Sequence, residues 1–211
     1  EKGIIVVHVV SSSKFALKAQ EAGVDAVVAE GFEAGGHNGK DETTTMVLIP
    51  MVKDAVKIPV IAAGGIGNGR SMMAALNLGA DAVQIGSRFV ASNEASAHIN
   101  FKNEIIKAAE GDTKLTLKEL TPVRLLRNDF YNKVEEIYLK GGNPDDLAQL
   151  LGRGRAKKGM FEGDLTEGEL EIGQVSGMIN KIIPAGAIVE EVIDEYTSLR
   201  KDINSEEKYK F

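Results

Sequence analysis

One histidine stands within a cluster of glycines. His37 is flanked by Gly35, Gly36 and Gly39, and glycine, which has no Cβ, lets the backbone approach a flat ligand closely. An imidazole titrates near neutral pH and can exchange protons with a bound substrate. The sequence therefore makes His37 a candidate for proton transfer. The alternative interpretation is a flexible surface loop that carries an incidental histidine.

A second glycine-rich segment ends at Arg70, where a helix-like stretch begins. Backbone N–H groups of such a turn, together with a helix N-terminus, form a site suited to a phosphate. The segment is not the dinucleotide fingerprint, because Arg70 stands where the third glycine after Gly65 and Gly67 should be, and no P-loop lysine follows. We expect an anion site here, and the alternative is a tight turn only.

A third turn begins at Gly86 and Ser87, directly after another apolar run. Its backbone N–H groups could also face an anion. Two such turns after consecutive strands match the phosphate site that βα barrels place after their last two strands. The strands of this chain would then be strands 5 to 8 of a barrel.

Short apolar runs alternate with helix-like stretches in the first half of the chain, which predicts βα units and an α/β fold. The runs lack polar alternation, as is typical of parallel strands buried on both faces. The predicted strands are 4–10, 25–29, 59–63 and 81–85, and the predicted helices are 14–22, 43–56 and 70–78. We therefore expect the C-terminal half of a (β/α)8 TIM barrel, the earlier part of a longer chain being absent before residue 1.

The second half of the chain is charged and has a helical period, with a break at residues 141–144. We expect helical structure over 101–140, 145–158, 173–181 and 185–199. The predicted organisation is a half-barrel over 1–100, a C-terminal helical appendage over 101–200, and a frayed tail over 201–211.

Composition excludes several classes of protein. The 211 residues carry 25 Lys+Arg against 31 Asp+Glu, a net charge of −6 that argues against a nucleic-acid binder. The absence of cysteine excludes disulfides, thiolate metal ligands and a cysteine nucleophile, and we expect no metal site. The apolar runs are too short to span a bilayer. We expect a cytoplasmic protein that binds neither nucleic acid nor membrane.

Three segments, 29–39, 59–66 and 79–89, resemble the nitronate monooxygenase family, also called 2-nitropropane dioxygenase-like. The flavin-dependent enoyl-ACP reductases of type II belong to the same superfamily. The resemblance extends over residues 3–181 and implies an FMN-binding TIM barrel. It also implies a small-molecule substrate, and we expect a homodimer.

The resemblance assigns roles to individual residues. His37 matches the catalytic histidine of the family, which acts as a base or orients the substrate. The phosphate of FMN would lie near Gly65, Gly86 and Ser87. The residues that would bind FMN are Glu30, Gly35, Gly36, Gly64, Gly65, Gln84, Ile85, Gly86 and Ser87.

Two reactions remain open, and the first choice is oxidation of an alkyl nitronate. The alternative is an NAD(P)H-dependent enoyl-ACP reductase of fatty acid synthesis. Glu30 favours the alternative, because nitronate monooxygenases usually have glutamine there, and the run 168–176 also resembles the reductases. No NAD(P)H signature is visible. The basic run 153–158 could meet an acyl carrier protein, or it is a solvated helix end. A third interpretation is a fragment without activity of its own.

Overall fold

The computed structural model describes residues 2–204, which divide into two compact units. Unit 1 contains residues 2–32, 41–85 and 184–204, and unit 2 contains residues 33–40 and 86–183. In chain order the strands are β1 (Val7–Val10), β2 (Ala26–Glu30), β3 (Gly36–His37), β4 (Val60–Ala63), β5 (Ala82–Val83), β6 (Thr113–Thr116) and β7 (Val123–Leu126). The α-helices are α1 (Ser13–Glu21), α2 (Thr45–Ala55), α3 (Gly69–Asn77), α4 (Ser87–Val90), α5 (Ile99–Lys107), α6 (Asp129–Leu139), α7 (Pro144–Leu151), α8 (Arg155–Met160) and α9 (Ala185–Asn204).

Unit 1 is built on a parallel sheet with the strand order β1-β2-β4-β5. Helices α1, α2 and α3 connect successive strands, so the predicted α/β fold with βα units is confirmed. The expectation that every strand is buried on both faces is wrong for the outer two. The inner strands β2 and β4 are almost fully buried, whereas β1 is exposed at three of its four residues. An outer strand has a neighbour on one side only.

Helix α2 covers the sheet because its apolar residues recur at helical spacing. Thr45, Leu48, Ile49 and Val52 are all buried, which places one face of the helix on the core. The core cluster of unit 1 also contains Val27, Ala29, Val60 and Ala62 from the strands. The same unit includes α9, where Glu195 contacts the first turn of α3.

Unit 2 contains an antiparallel sheet with the order β3-β7-β6. The helical expectation for 101–140 is therefore wrong over β6 and β7. The two strands form a hairpin-like pair in which Val123 and Leu125 are buried in a cluster with Phe130 and Val134 of α6. The charged residues of this segment led to the prediction of a solvent-exposed helix. The apolar residues of β7 are instead buried against the core, and this burial favours a strand over a helix.

Three other predicted helices differ in extent. Residues 145–158 form two helices, α7 and α8, because Gly152 and Gly154 adopt φ of 59° and 80° between them. Residues 173–181 contain only a 3-10 turn at Gln174–Met178. Helix α9 continues to residue 204, and the rest of the predicted tail lies outside the described residues.

Neither unit begins or ends at residue 100, where the predicted half-barrel ends. The division into a half-barrel and a helical appendage stays a prediction. Every helix within residues 2–204 is too short or too polar to pass through a lipid bilayer.

Candidate active site

In unit 1, the carboxyl ends of the parallel strands bring several predicted residues to one edge of the sheet. Glu30 ends β2 and is paired in register with Ala63, which ends β4 and precedes Gly64. Gln84 follows β5, and its N–H donates to the Ala62 carbonyl at 2.8 Å. These turns therefore share one edge of the sheet within unit 1. Glu30 is partly buried, and burial raises the pKa of its carboxyl.

Thr45, which was not predicted from the sequence to belong to the site, holds the turns after β2 and β4 together. The Thr45 hydroxyl donates to the Gly64 carbonyl at 2.9 Å, and the Gly31 N–H donates to the Ala63 carbonyl at 3.0 Å. A Cβ on Gly31 would lie 2.7 Å from the Thr45 Cα. The chain therefore needs glycine at 31 and a hydroxyl at 45 to keep these turns in contact.

The Gly64–Gly65 turn has the conformation that its glycines predict, with φ of 87° and 69°. The start of α3 differs from the expectation. Gly69 N–H donates to the Glu195 carboxylate at 2.7 Å, and Arg70 pairs with the same carboxylate at 2.9 Å. A carboxylate of the protein itself thus occupies this helix N-terminus. The N-terminus of α3 is therefore not part of the predicted anion site. The prediction is now limited to the glycine turn.

In unit 2, the loop before β3 packs against the chain at residues 172–174. A Cβ on Gly35 would lie 2.6 Å from the Ile172 Cα, so only glycine fits there. Gly173 N–H donates to the Ser87 hydroxyl at 2.9 Å, and Gln174 N–H donates to the Glu33 carbonyl at 2.9 Å. Gly35 and Ser87 are therefore brought together through Gly173. This contact could not be predicted from residue types, because Gly173 is far in sequence from Gly35 and Ser87.

His37 lies in a strand and not in an irregular loop. Strand β3 pairs with β7, and the pairs are Gly36 with Arg124 and His37 with Val123. Asn38 N–H then donates to the Pro122 carbonyl at 2.8 Å. The side chain of His37 is exposed to solvent. The backbone of His37 is thus fixed while its imidazole is accessible, an arrangement that suits proton exchange or substrate binding.

Two carboxyl groups belong to the segment 169–171, which pairs with β7 at Leu125 and Leu126. Glu169 is only 5% exposed, and its Oε1 has no hydrogen-bond partner among the described residues. Burial, reinforced by the charge of Glu171 and opposed by Arg155, raises the pKa of Glu169 to about 7. Burial also raises the pKa of Glu171, and the charge of His37 opposes that rise. Neither carboxyl group was predicted from the sequence to belong to the site.

The predicted residues are distributed over both units. Unit 1 holds Glu30, Gly64, Gly65, Gln84 and Ile85, and unit 2 holds Gly35, Gly36, His37, Gly86 and Ser87. No group of three or more metal-ligating side chains occurs in the part of the chain that the structure describes.

The family model for nitronate monooxygenases matches residues 1–195. The chain belongs to the nitronate monooxygenase family. The resemblance found in the three glycine-bearing segments is therefore confirmed.

Similar proteins agree with this membership. A probable nitronate monooxygenase of Bacillus subtilis is 46% identical over 121 residues, which are 54% of this chain and 35% of the relative. The structure of FabK from Thermotoga maritima is 43% identical with a TM-score of 0.89, over 95% of this chain and 63% of that one. Nitroalkane oxidase from Streptomyces ansochromogenes is 31% identical with a TM-score of 0.78, over 96% of this chain and 60% of that one.

The chain of this nitronate monooxygenase family member thus spans between about a third and two thirds of the length of these relatives. The two structural neighbours support an α/β fold with a parallel sheet, as found in TIM-barrel enzymes.

Proposed function

We propose that the protein is an FMN-dependent oxidoreductase that oxidises alkyl nitronates, with His37 as a base or as the residue that orients the substrate. The observation that carries this proposal is the exposed imidazole of His37 on a backbone fixed by β7, in a chain of this family. A nitronate is the anion that forms when a nitroalkane loses the proton on its carbon. Its oxidation therefore requires a residue that orients the substrate more than one that removes a proton. A protonated imidazole of His37 would donate to the nitronate oxygens.

The residues assigned to FMN fit a flat, phosphate-bearing ligand in their local structure. Within unit 1, the Gly64–Gly65 turn has a left-handed backbone and no side chains, so a ligand could approach its main chain closely. Within unit 2, the residues assigned to the cofactor include Gly35, Gly86 and Ser87. A Cβ built on Gly86 meets no atom of residues 2–204 within 4 Å. When bound, FMN supplies the electron chemistry, while the chain binds and orients.

The first experiment tests the role of His37 with the variant His37→Ala. Loss of a positioned proton donor or acceptor lowers turnover of an alkyl nitronate by about 100-fold or more. Flavin content, measured from the visible absorbance bands of the purified protein, should stay near that of the parent. His8→Ala is the matched control, because His8 is also an exposed histidine on a strand. Equal loss of flavin and turnover would show that His37 is structural.

A second candidate function is NAD(P)H-dependent reduction of an enoyl thioester. The observations that favour it are Glu30 and the similarity to FabK, an enoyl-ACP reductase. Anaerobic mixing of the flavin-loaded protein with NADPH and then a crotonyl thioester distinguishes the two functions. Rapid bleaching of the flavin by NADPH followed by thioester reduction would establish the reductase. Bleaching by a nitronate without NADPH supports the monooxygenase.

An acyl carrier protein partner remains a proposal attached to this second function. In the basic run, Lys157 pairs with Glu162 at 3.2 Å and Lys158 pairs with Asp164 at 3.1 Å. Arg155 lies over the Phe130 ring at 4.7 Å from its centroid and pairs with Glu167. Docking of a carrier protein to this run would therefore require these ion pairs to be replaced by pairs with acidic residues of the carrier. The homodimer also stays a prediction.

A further inference from the structure

Lys102 is a lysine in the interior of unit 2. It lies on α5, and only 5% of its surface is exposed. Phe101 and Ile105 of the same helix are fully buried in a core cluster of unit 2, so this side of α5 is directed inward. A buried ammonium ion loses hydration and is retained only where hydrogen bonds or charges replace the water. The surroundings of Lys102 must therefore supply acceptors.

Three main-chain carbonyl groups of one loop accept hydrogen bonds from Lys102. Its Nζ lies 2.6 Å from the Ser92 carbonyl oxygen, 2.7 Å from that of Ala95 and 3.4 Å from that of Asn93. An ammonium group has three N–H donors and no acceptor, so donors and acceptors match in number. None of the three acceptors is a carboxylate. The charge is thus solvated by carbonyl dipoles, as it is for an alkali cation held by backbone oxygens.

The loop holds these carbonyl groups in place through contacts that do not involve the lysine. Ser92 pairs with Ile183 in a parallel bridge, and Asn93 N–H donates to the Ile183 carbonyl at 3.1 Å. Ala95 N–H donates to the Ser92 hydroxyl at 3.2 Å, which closes the turn. Because the backbone is fixed in this way, the arrangement of oxygens can persist when the lysine side chain is removed.

We propose that the carbonyl oxygens of Ser92, Asn93 and Ala95 form a site for a monovalent cation, which the ammonium of Lys102 fills from within the chain. A small primary ammonium ion is the external ligand that matches this site, because it offers the same charge and the same three N–H donors. The site lies outside the residues assigned to FMN, and the inference does not rest on the proposed reaction. A chain without this side chain should therefore bind such an ion and be stabilised by it.

The first experiment empties the site with Lys102→Ala and refills it from solution. Thermal unfolding is followed by circular dichroism in sodium phosphate at constant ionic strength. Loss of the cation and its packed stem should lower Tm by about 6 to 12 °C. Propylammonium has the three carbons and the ammonium that alanine lacks. At about 0.1 M it should raise the Tm of this variant by about 4 to 8 °C, since it binds the folded state.

Three controls separate binding at the site from a general effect of amines. Tetramethylammonium carries the charge without N–H donors and should not raise the Tm of Lys102→Ala. Lys102→Met fills the stem with an uncharged side chain, so its lowered Tm should not respond to propylammonium. Lys107→Ala removes an exposed lysine of the same helix, paired with Glu104, and should respond to neither ion. A folded Lys102→Ala that does not respond to propylammonium, or controls that respond equally, would overturn the inference.

The second experiment rebuilds the side chain covalently, and it decides the matter if Lys102→Ala does not fold. The chain has no cysteine, so Lys102→Cys carries a single thiol. In urea, the thiolate displaces bromide from 2-bromoethylamine, 2-bromoethanol or 1-bromopropane. The three products have the length of lysine and end in an ammonium, a hydroxyl or a methyl group. The parent chain, which has no thiol, undergoes the same treatment as a control.

The refolded products are compared by Tm. The ammonium product should come within about 3 °C of the parent, and the hydroxyl and methyl products should lie at least about 5 °C lower. This order supports a site that requires a cation with N–H donors. A hydroxyl or methyl product as stable as the ammonium product shows that the loop needs only a filled space, and it refutes the inference.

Discussion

Glu169 should make the stability of the protein depend on pH in a way that one isosteric substitution removes. The carboxyl is 5% exposed, and its pKa rises from 4.5 to about 7 chiefly because burial penalises the charged form. The folded protein therefore retains a proton between these values that the unfolded chain loses. Stability from this group is fully present below about pH 4.5, falls as the pH rises, and levels off above about pH 7.

The size of this effect follows from the change in pKa. At about 1.4 kcal/mol for each pKa unit, the rise from 4.5 to about 7 corresponds to roughly 3 kcal/mol. Glutamine has the shape of the protonated side chain and does not titrate. Relative to the parent, Glu169→Gln should therefore gain about 2 to 3 kcal/mol in free energy of unfolding between pH 4.5 and pH 8.

The assay is urea unfolding of both proteins at intervals from pH 4 to 8.5, and the quantity compared is the difference between their free energies of unfolding. Asp164 and Glu167, whose pKa values are lowered by hydrogen bonds and nearby cations, act in the opposite direction. They are present in both proteins, so their contribution cancels in the difference. Glu162→Gln is the control for an exposed carboxyl. A constant difference across this pH range would refute the reasoning, because Glu169 would then titrate alike in both states.

Two further substitutions test the contacts that hold the turns in place. In Gly35→Ala, the added Cβ meets the backbone at Ile172 and Gly173, so we expect a loss of about 2 kcal/mol or more in free energy of unfolding by urea titration, together with reduced flavin content. In Thr45→Val, the hydrogen bond to the Gly64 carbonyl is lost with little change in volume, and the expected loss is about 1 kcal/mol in the same assay.

Each of these substitutions has a control within the chain. Gly186→Ala is the control for Gly35→Ala, because a Cβ at 186 meets no atom within 4 Å in the described part of the chain. It should leave stability the same or slightly higher, since alanine favours the helix. Thr43→Val is the control for Thr45→Val. Equal effects of a substitution and its control would contradict the assigned contacts.

The βα organisation of unit 1 was predictable because its signals are local. Apolar runs of strand length, helical spacing in α2 and the glycine turn at residues 64–65 all lie within a few neighbouring residues. The same locality explains the errors. The charged residues around β6 led to the prediction of a helix, whereas the structure pairs β6 with β7 in an antiparallel sheet. The apolar residues of β7 are buried in a cluster with Phe130.

The sequence by itself determined the family, the parallel strands and the glycines and histidine that are candidates for the site. The tertiary structure alone decided which partners these residues meet. The Gly173–Ser87 hydrogen bond joins residues 86 positions apart, and the Gly69–Glu195 bond joins residues 126 apart. The burial of Glu169 depends in the same way on distant backbone contacts. Periodicity and residue type record what a residue prefers locally, whereas burial and charge pairing arise only when distant segments pack.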